Sequence, residues 1–210
     1  TYKYLMADNI VRNIAPFIDD RFLITSPWWN VRINPITGKK QIHRGLDIAT
    51  SGKKPVYSML TGIVHSKGYD GSQGNWIVIT DHRPESPVFG YATLYMHLDQ
   101  PSPLNVNDTV TQNQQVGIEG TTGASTGVHL HVEMQDIRRW GWTWHWSYTK
   151  SDYLDPTQFM GIDNIDDTWW IYDGTPYDPP TPPEPTPSGE KEKKRFPWFI
   201  YYNRWRMFGR

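Results

Sequence analysis

Six short apolar runs follow one another through the middle of the chain: Pro55–Met59, Gly62–His65, Trp76–Thr80, Ala92–Leu98, Gln115–Ile118 and Val128–Met134. Clusters of Gly, Asn, Asp, Ser and Pro separate them. Runs of this length, bounded by turn-forming residues, read as strands rather than helices. No long helical pattern alternates with them, so the crossovers that a parallel sheet needs are missing. The expected fold class is mainly β, an antiparallel sheet or sandwich packed on itself. The stretch from Asn105 to Asp108 reads as a turn leading into a further strand. Ahead of the β region, Leu5, Ile10, Ile14 and Phe17 recur at roughly helical spacing. With Asp8 as N-cap and Pro16 limiting its length, this predicts a short N-terminal helix within residues 4–19.

Strand alternation also sorts the polar residues. Side chains two apart share a face, so Val128, Leu130, Val132 and Met134 point one way while His129, His131 and Glu133 point the other. His43 and Asp47 share parity and could project from one strand face. In the Thr93–Leu98 segment, Leu94, Met96 and Leu98 are expected to face the core and His97 the polar side. The chain has no cysteine, which excludes a disulfide framework and any thiolate metal site. Three nitrogen or oxygen ligands without cysteine form the ligand set of a catalytic zinc site, which keeps one position open for water.

Three segments must converge for that reading to hold: His43-Arg44-Gly45-Leu46-Asp47, Tyr95-Met96-His97-Leu98, and Ser125-Thr126-Gly127-Val128-His129-Leu130-His131-Val132-Glu133. Together, and in this order, they resemble the signature of the lysostaphin-type zinc metallopeptidases, the LytM group, which cleave peptides of bacterial peptidoglycan. That signature runs HxGxD, YxHL and STGxHLHFE. The lead-in Val31–Gly38 is similar to the family's RxHPxTG stretch, with Asn34 where His is frequent. Val128 stands in place of a frequent Pro, and Val132 in place of Phe.

The resemblance covers roughly residues 24–137. It implies the lysostaphin-type fold with an open groove, one zinc per chain held by His43, Asp47 and His131, and His97 and His129 as catalytic, non-ligand histidines. His129 is then the more natural base, and His97 the oxyanion partner or acid. In the lysostaphin subgroup a Tyr upstream of the first His polarises the substrate carbonyl; no Tyr stands at that place here, and Arg32 is the candidate contributor. Glu133 either orients a histidine from behind or is a simple surface carboxylate. His65 and His82 read as ordinary surface histidines, and His145 as packed among indoles. A side chain from residues 20–34 facing the zinc would keep the site latent.

The implied domain order is a helical lead-in (1–22), the zinc endopeptidase core (23–137), a Trp-rich extension (138–174), a Pro-rich linker (175–190) and a basic-aromatic docking tail (191–210). Trp140, Trp142, Trp144 and Trp146 would form an all-indole face if they lay on one strand, a platform against another surface or a polymeric ligand. Thr175–Ser188 holds seven prolines and reads as a semi-rigid spacer. From Glu190 onward there are seven basic and two acidic residues, against 14 and 20 before it, from totals of 21 and 22. The net charge of −1 implies no nucleic-acid partner. No apolar run approaches the roughly 20 residues of a transmembrane segment.

The first residue is Thr rather than Met, which fits a processed or excised product. That feature, the spacer and the tail fit an extracellular setting in a phage tail tip, with other tail proteins as partners through residues 191–210. The alternatives are a phage tail structural or assembly protein, a secreted bacterial cell-wall hydrolase, and a degenerate binding module. A degenerate member would have lost zinc ligands, whereas all three are present here.

Overall fold

The structure, a computed structural model, describes residues 15–17, 21–162 and 169–171. The helix expected in residues 4–19 therefore lies almost wholly outside the described residues, as do the Pro-rich linker and the docking tail.

The described chain is built on antiparallel strands, as the short apolar runs predict. They are β1 (Arg21–Ser26), β2 (Val31–Ile33), β3 (Lys40–Ile42), β4 (Leu46–Ala49), β5 (Pro55–Tyr57), β6 (Gly62–Asp70), β7 (Gly74–Thr80), β8 (Tyr91–Leu98), β9 (Thr109–Val110), β10 (Gln115–Ile118), β11 (Leu130–Asp136), β12 (Tyr153–Leu154) and β13 (Trp169–Ile171). One large sheet runs β13-β1-β4-β11-β8-β7-β6-β9, with β12 also beside β11; β5 pairs with β10 and β2 with β3 in two small ribbons. A single short helix, α1 (Pro156–Met160), follows β12 among the described residues. Asp155 caps it by accepting from the Thr157 amide.

The large sheet is buried on both sides. Phe22, Ile24, Leu46, Ile48, Ile77, Ile79, Leu130, Val132 and Met134 form the main core on one face. On the other face Val78, Ala92, Leu94 and Met96 pack against Ile137, Trp144 and Tyr153. Double burial explains why Glu133 and Gln135, on the polar side of β11, are as enclosed as its apolar residues.

Two expectations about side-chain direction are corrected. Leu98 does not share a face with Leu94 and Met96; it joins Tyr95 in the main core. The cause is a bulge. Tyr95 pairs with Ile77 and Leu98 with Asn75, so Met96 and His97 together oppose Trp76 alone. His97 takes up the extra residue at φ 62°, in the left-handed region that His enters more readily than most residues. The second correction concerns Val128, which precedes the strand and is exposed rather than in the core.

The alternating tryptophans form no strand. Trp140 ends a 3₁₀ turn, Gly141 and Trp142 both have positive φ (67° each), and the chain runs irregularly to Thr149. Alternation is lost with the strand. Trp144 is buried in the second core, whereas Trp142 and Trp146 stay 37 % and 44 % exposed. The segment does not form an indole platform. Its end folds back onto the sheet, where Tyr153 and Leu154 pair with Gln135 and Met134.

Asp81 organises the loop that follows β7. Its fully buried carboxylate accepts from the Arg83 amide (2.9 Å), Arg83 Nε (3.1 Å), Arg83 NH2 (2.8 Å) and Ser86 Oγ (2.5 Å). Burial pushes this carboxyl up, but the Arg83 and Ser86 hydrogen bonds outweigh it and hold the group below its usual range. The stabilisation is therefore in place above pH ~4 and is lost as pH falls through the depressed native value. Asp81→Ala should cost about 2 kcal/mol at pH 7, read from urea midpoints, and the gap to the wild type should shrink at pH 3.

Candidate active site

His43, Asp47 and His131 reach one point from three segments. His131 stands on β11 directly opposite Asp47 of β4 and Met96 of β8. His43 does not share a strand with Asp47, as parity suggested. It lies in the link between β3 and β4, fixed by its amide donating to the Asn30 carbonyl at 2.8 Å. The link can pass so close because residue 45 is glycine. A Cβ there would stand 2.3 Å from His131 Nε2 and 2.7 Å from the Val132 carbonyl oxygen. Gly45→Ala should thus push the His131 ring aside and destabilise the fold by about 1–3 kcal/mol, seen as a lower urea midpoint at unchanged slope.

The three ligand-type atoms form a tight triangle. His131 Nδ1 is 2.7 Å from Asp47 Oδ1 and 3.0 Å from His43 Nε2, and His43 Nε2 is 3.1 Å from Asp47 Oδ1. Each group is held from behind. His43 Nδ1 donates to the Pro27 carbonyl (3.1 Å) with Ser26 Oγ also at 3.1 Å, and His131 Nε2 faces Glu133 Oε1 at 3.1 Å. Arg32 donates through NH1 to Asp47 Oδ2 at 2.7 Å. With Nδ1–H on His43 and Nε2–H on His131, the inward atoms are two imidazole lone pairs and a carboxylate oxygen. Three acceptors this close repel one another unless a cation lies among them. Their separations are near the roughly 3.3 Å edge of a tetrahedron with metal bonds of about 2.0 Å. The donor set suits zinc, with a fourth position free.

Burial and the neighbouring charges oppose one another within the cluster. Burial lowers the His43 imidazole, against the pull of Asp47. Burial disfavours the charge on Asp47 too, yet His43 and His131 together hold its carboxyl well below the usual range. For His131 burial again opposes charge, but Asp47 and Glu133 prevail and raise it to about 9.

His97 and His129 line the same space. Their ring centroids are 4.7 Å apart, and His97 is 6.1 Å from the His131 ring. His97 Nδ1–H donates to the Thr122 carbonyl (2.8 Å) and His129 Nδ1–H to the Gly127 carbonyl (2.9 Å). Each Nε2 is left as an acceptor, and His129 Nε2 lies 3.8 Å from Asp47 Oδ1. Burial, reinforced by His129 and His131, pushes the His97 imidazole down to about 4.

All five residues singled out from sequence are therefore brought together. Glu133 is 1 % exposed, which settles it as a buried partner of His131. Arg32 touches Asp47, whereas Asn34 caps its own turn by accepting from the Ile36 and Thr37 amides. His145 stacks on Trp140 at 4.0 Å, and His82 is exposed. His65 is half-buried, hydrogen-bonded to Ser66 and Thr143. Ser26 and Arg44 were not foreseen. Nothing marks Ser26 in the sequence, and Arg44 is visible only as a neighbour of His43.

The chain is similar to several known proteins. Residues 41–144 match peptidase family M23. A Neisseria meningitidis serogroup B protein named DD-carboxypeptidase/endopeptidase Mpg is 36 % identical over 121 residues, 58 % of this chain and 26 % of that protein. Peptidoglycan DD-endopeptidase ShyC of Vibrio cholerae is 33 % identical over 102 residues, 49 % of this chain and 22 % of that one. A crystal structure of a zinc-containing peptidase from Vibrio cholerae superposes with a TM-score of 0.53 at 28 % identity, covering 74 % of this chain and 41 % of its own. The chain spans about a quarter of the length of those two relatives. Residues 41–144, which carry the His–Asp–His cluster, are a peptidase family M23 domain.

Proposed function

We propose that the protein is a zinc-dependent endopeptidase that hydrolyses peptide bonds of bacterial peptidoglycan, in the stem or the cross-bridge. The observation that carries this reading is the triangle of three inward acceptors, His43 Nε2, Asp47 Oδ1 and His131 Nδ1, each oriented by a partner behind it. Those three atoms would hold one zinc per chain. Zinc so bound would polarise a scissile carbonyl and lower the pKa of water toward neutrality. The chain's own residues do the rest. His129 Nε2, an acceptor beside the cluster, takes the proton of the attacking water and later returns it to the leaving amine. His97 stands across from it; its Nδ1–H bond to Thr122 leaves Nε2 facing the same space as a second proton acceptor. Arg32, donating to Asp47 Oδ2, holds that carboxylate in place.

The relatives named peptidoglycan DD-endopeptidase and DD-carboxypeptidase/endopeptidase support the substrate class, and with it a site of action at the cell wall. The finer setting, the lytic part of a phage tail tip docked to other tail proteins through residues 191–210, draws support from the Pro-rich spacer and aromatic–basic tail alone. Antibody labelling of virion tails, as opposed to culture supernatant, separates it from a secreted bacterial hydrolase. The activity is tested on purified peptidoglycans of different cross-bridge type. Zinc-loaded protein should release soluble fragments from at least one of them, chelation should stop the release, and added zinc should restore it. No release from any of them by zinc-loaded protein refutes the proposal.

A further inference from the structure

A part of the chain outside the matched residues 41–144 reaches the His–Asp–His cluster from behind, through Arg44 and Glu133. Gln135, on the same side of β11 as His131 and Glu133, clasps the returning segment. Its Nε2 donates to the His145 carbonyl (2.6 Å), and its Oε1 accepts from the His145 amide (3.1 Å). Beyond that clasp, the Tyr153 hydroxyl donates to the Ser147 carbonyl (2.9 Å) and accepts from the Ser147 amide (3.2 Å). The Ser147 side chain bonds Asp152. Residues 145–153 are thereby tied to β11 and to one another.

Arg44 joins this loop to the ligands. Its NH1 donates to the Ser147 carbonyl at 2.9 Å, and its guanidinium lies over the Tyr148 ring (4.9 Å) and the Tyr153 ring (5.9 Å). Its Nε is 3.7 Å from Glu133 Oε1, the same oxygen that faces His131 Nε2 at 3.1 Å. Glu133 is a carboxylate almost wholly removed from water, and such an anion needs a fixed cation beside it. Tyr148, by contrast, is 86 % exposed, so its ring caps the guanidinium without filling the core.

We propose that Arg44 is a positioning residue through which the segment 145–153 sets the zinc affinity of His131. Arg44 holds Glu133 Oε1, Glu133 holds the Nε2–H of His131, and His131 therefore presents Nδ1 to the metal. This rests on the zinc reading above and adds to it that the metal site is completed by chain beyond the family stretch. Partners of this kind, one shell behind a ligating His, typically change metal affinity 10- to 100-fold.

The test is the zinc dissociation constant, measured by competition with a chromophoric chelator well below the unfolding temperature. Arg44→Met should raise it about 10-fold or more, and Arg44→Lys should recover part of the loss by restoring the cation. Glu133→Gln should raise it at least as much; if it fails to fold, the half-exposed Arg44 pair still decides the matter. Nitrogen-15 spectra of the zinc-loaded wild type should show His131 protonated at Nε2, with that signal broadened or shifted in Arg44→Met. A folded Arg44→Met protein with a zinc constant within twofold of wild type overturns the inference while leaving the zinc reading intact. A wild-type protein that binds no zinc overturns both.

Discussion

His131→Ala is expected to yield a protein that holds no zinc and releases nothing from peptidoglycan. The substitution removes Nδ1, one corner of the triangle, and leaves only His43 Nε2 and Asp47 Oδ1 facing each other. It also strips Glu133 of its hydrogen-bonded partner inside the fold, so stability falls as well. Activity should drop by about 10³-fold or more, the scale of losing a principal stabiliser of developing charge. Metal analysis and fragment release on the same preparation check this. One zinc per chain retained in His131→Ala would remove it from the ligand set.

His97→Ala should do the opposite to the metal and nearly the same to turnover. His97 contributes no atom to the triangle, so zinc content should stay at one per chain. Turnover should fall by about 10²- to 10⁴-fold, the usual worth of a positioned acid–base group. The backbone complicates the choice of variant. At φ 62° an alanine costs about 1–2 kcal/mol that histidine and asparagine partly escape. His97→Asn is therefore the companion: it accepts the bulge and still lacks the imidazole. Both variants should be zinc-loaded and slow, with His97→Asn the more stable in thermal unfolding. A fast His97→Asn enzyme would exclude His97 from the chemistry.

The strands were legible because their apolar runs are bounded by turn residues. The convergence of five residues was expected from the resemblance of three motifs to a known family, and not from their spacing, since His43 and Asp47 share no strand. What was not legible comes from contacts between distant segments. A histidine continuing the alternation of Thr93–Leu98 gives no sign that it will be a bulge; the register of β7 against β8 decides that. The contact of Arg44 with Ser147 spans 103 residues. The misread indole face shows the limit of alternation as evidence. Trp140 to Trp146 alternate as a strand would, yet Gly141 ends the preceding turn in the left-handed region and Trp142 follows it there. Once the strand is broken, Trp144 is free to turn inward alone. Gly45 was legible as a motif position, but its reason appears only with His131 beside it.

The central claim, hydrolysis of a peptide bond at this His–Asp–His centre, is tested most directly by mass analysis of a purified cross-linked muropeptide dimer. Incubation with zinc-loaded wild-type protein should convert the dimer into fragments whose masses sum to that of the dimer plus one water, with a new amino terminus and the glycan intact. The chelated protein and His131→Ala should leave the dimer whole. Fragments cut within the glycan, or equal cleavage by His131→Ala, would contradict it.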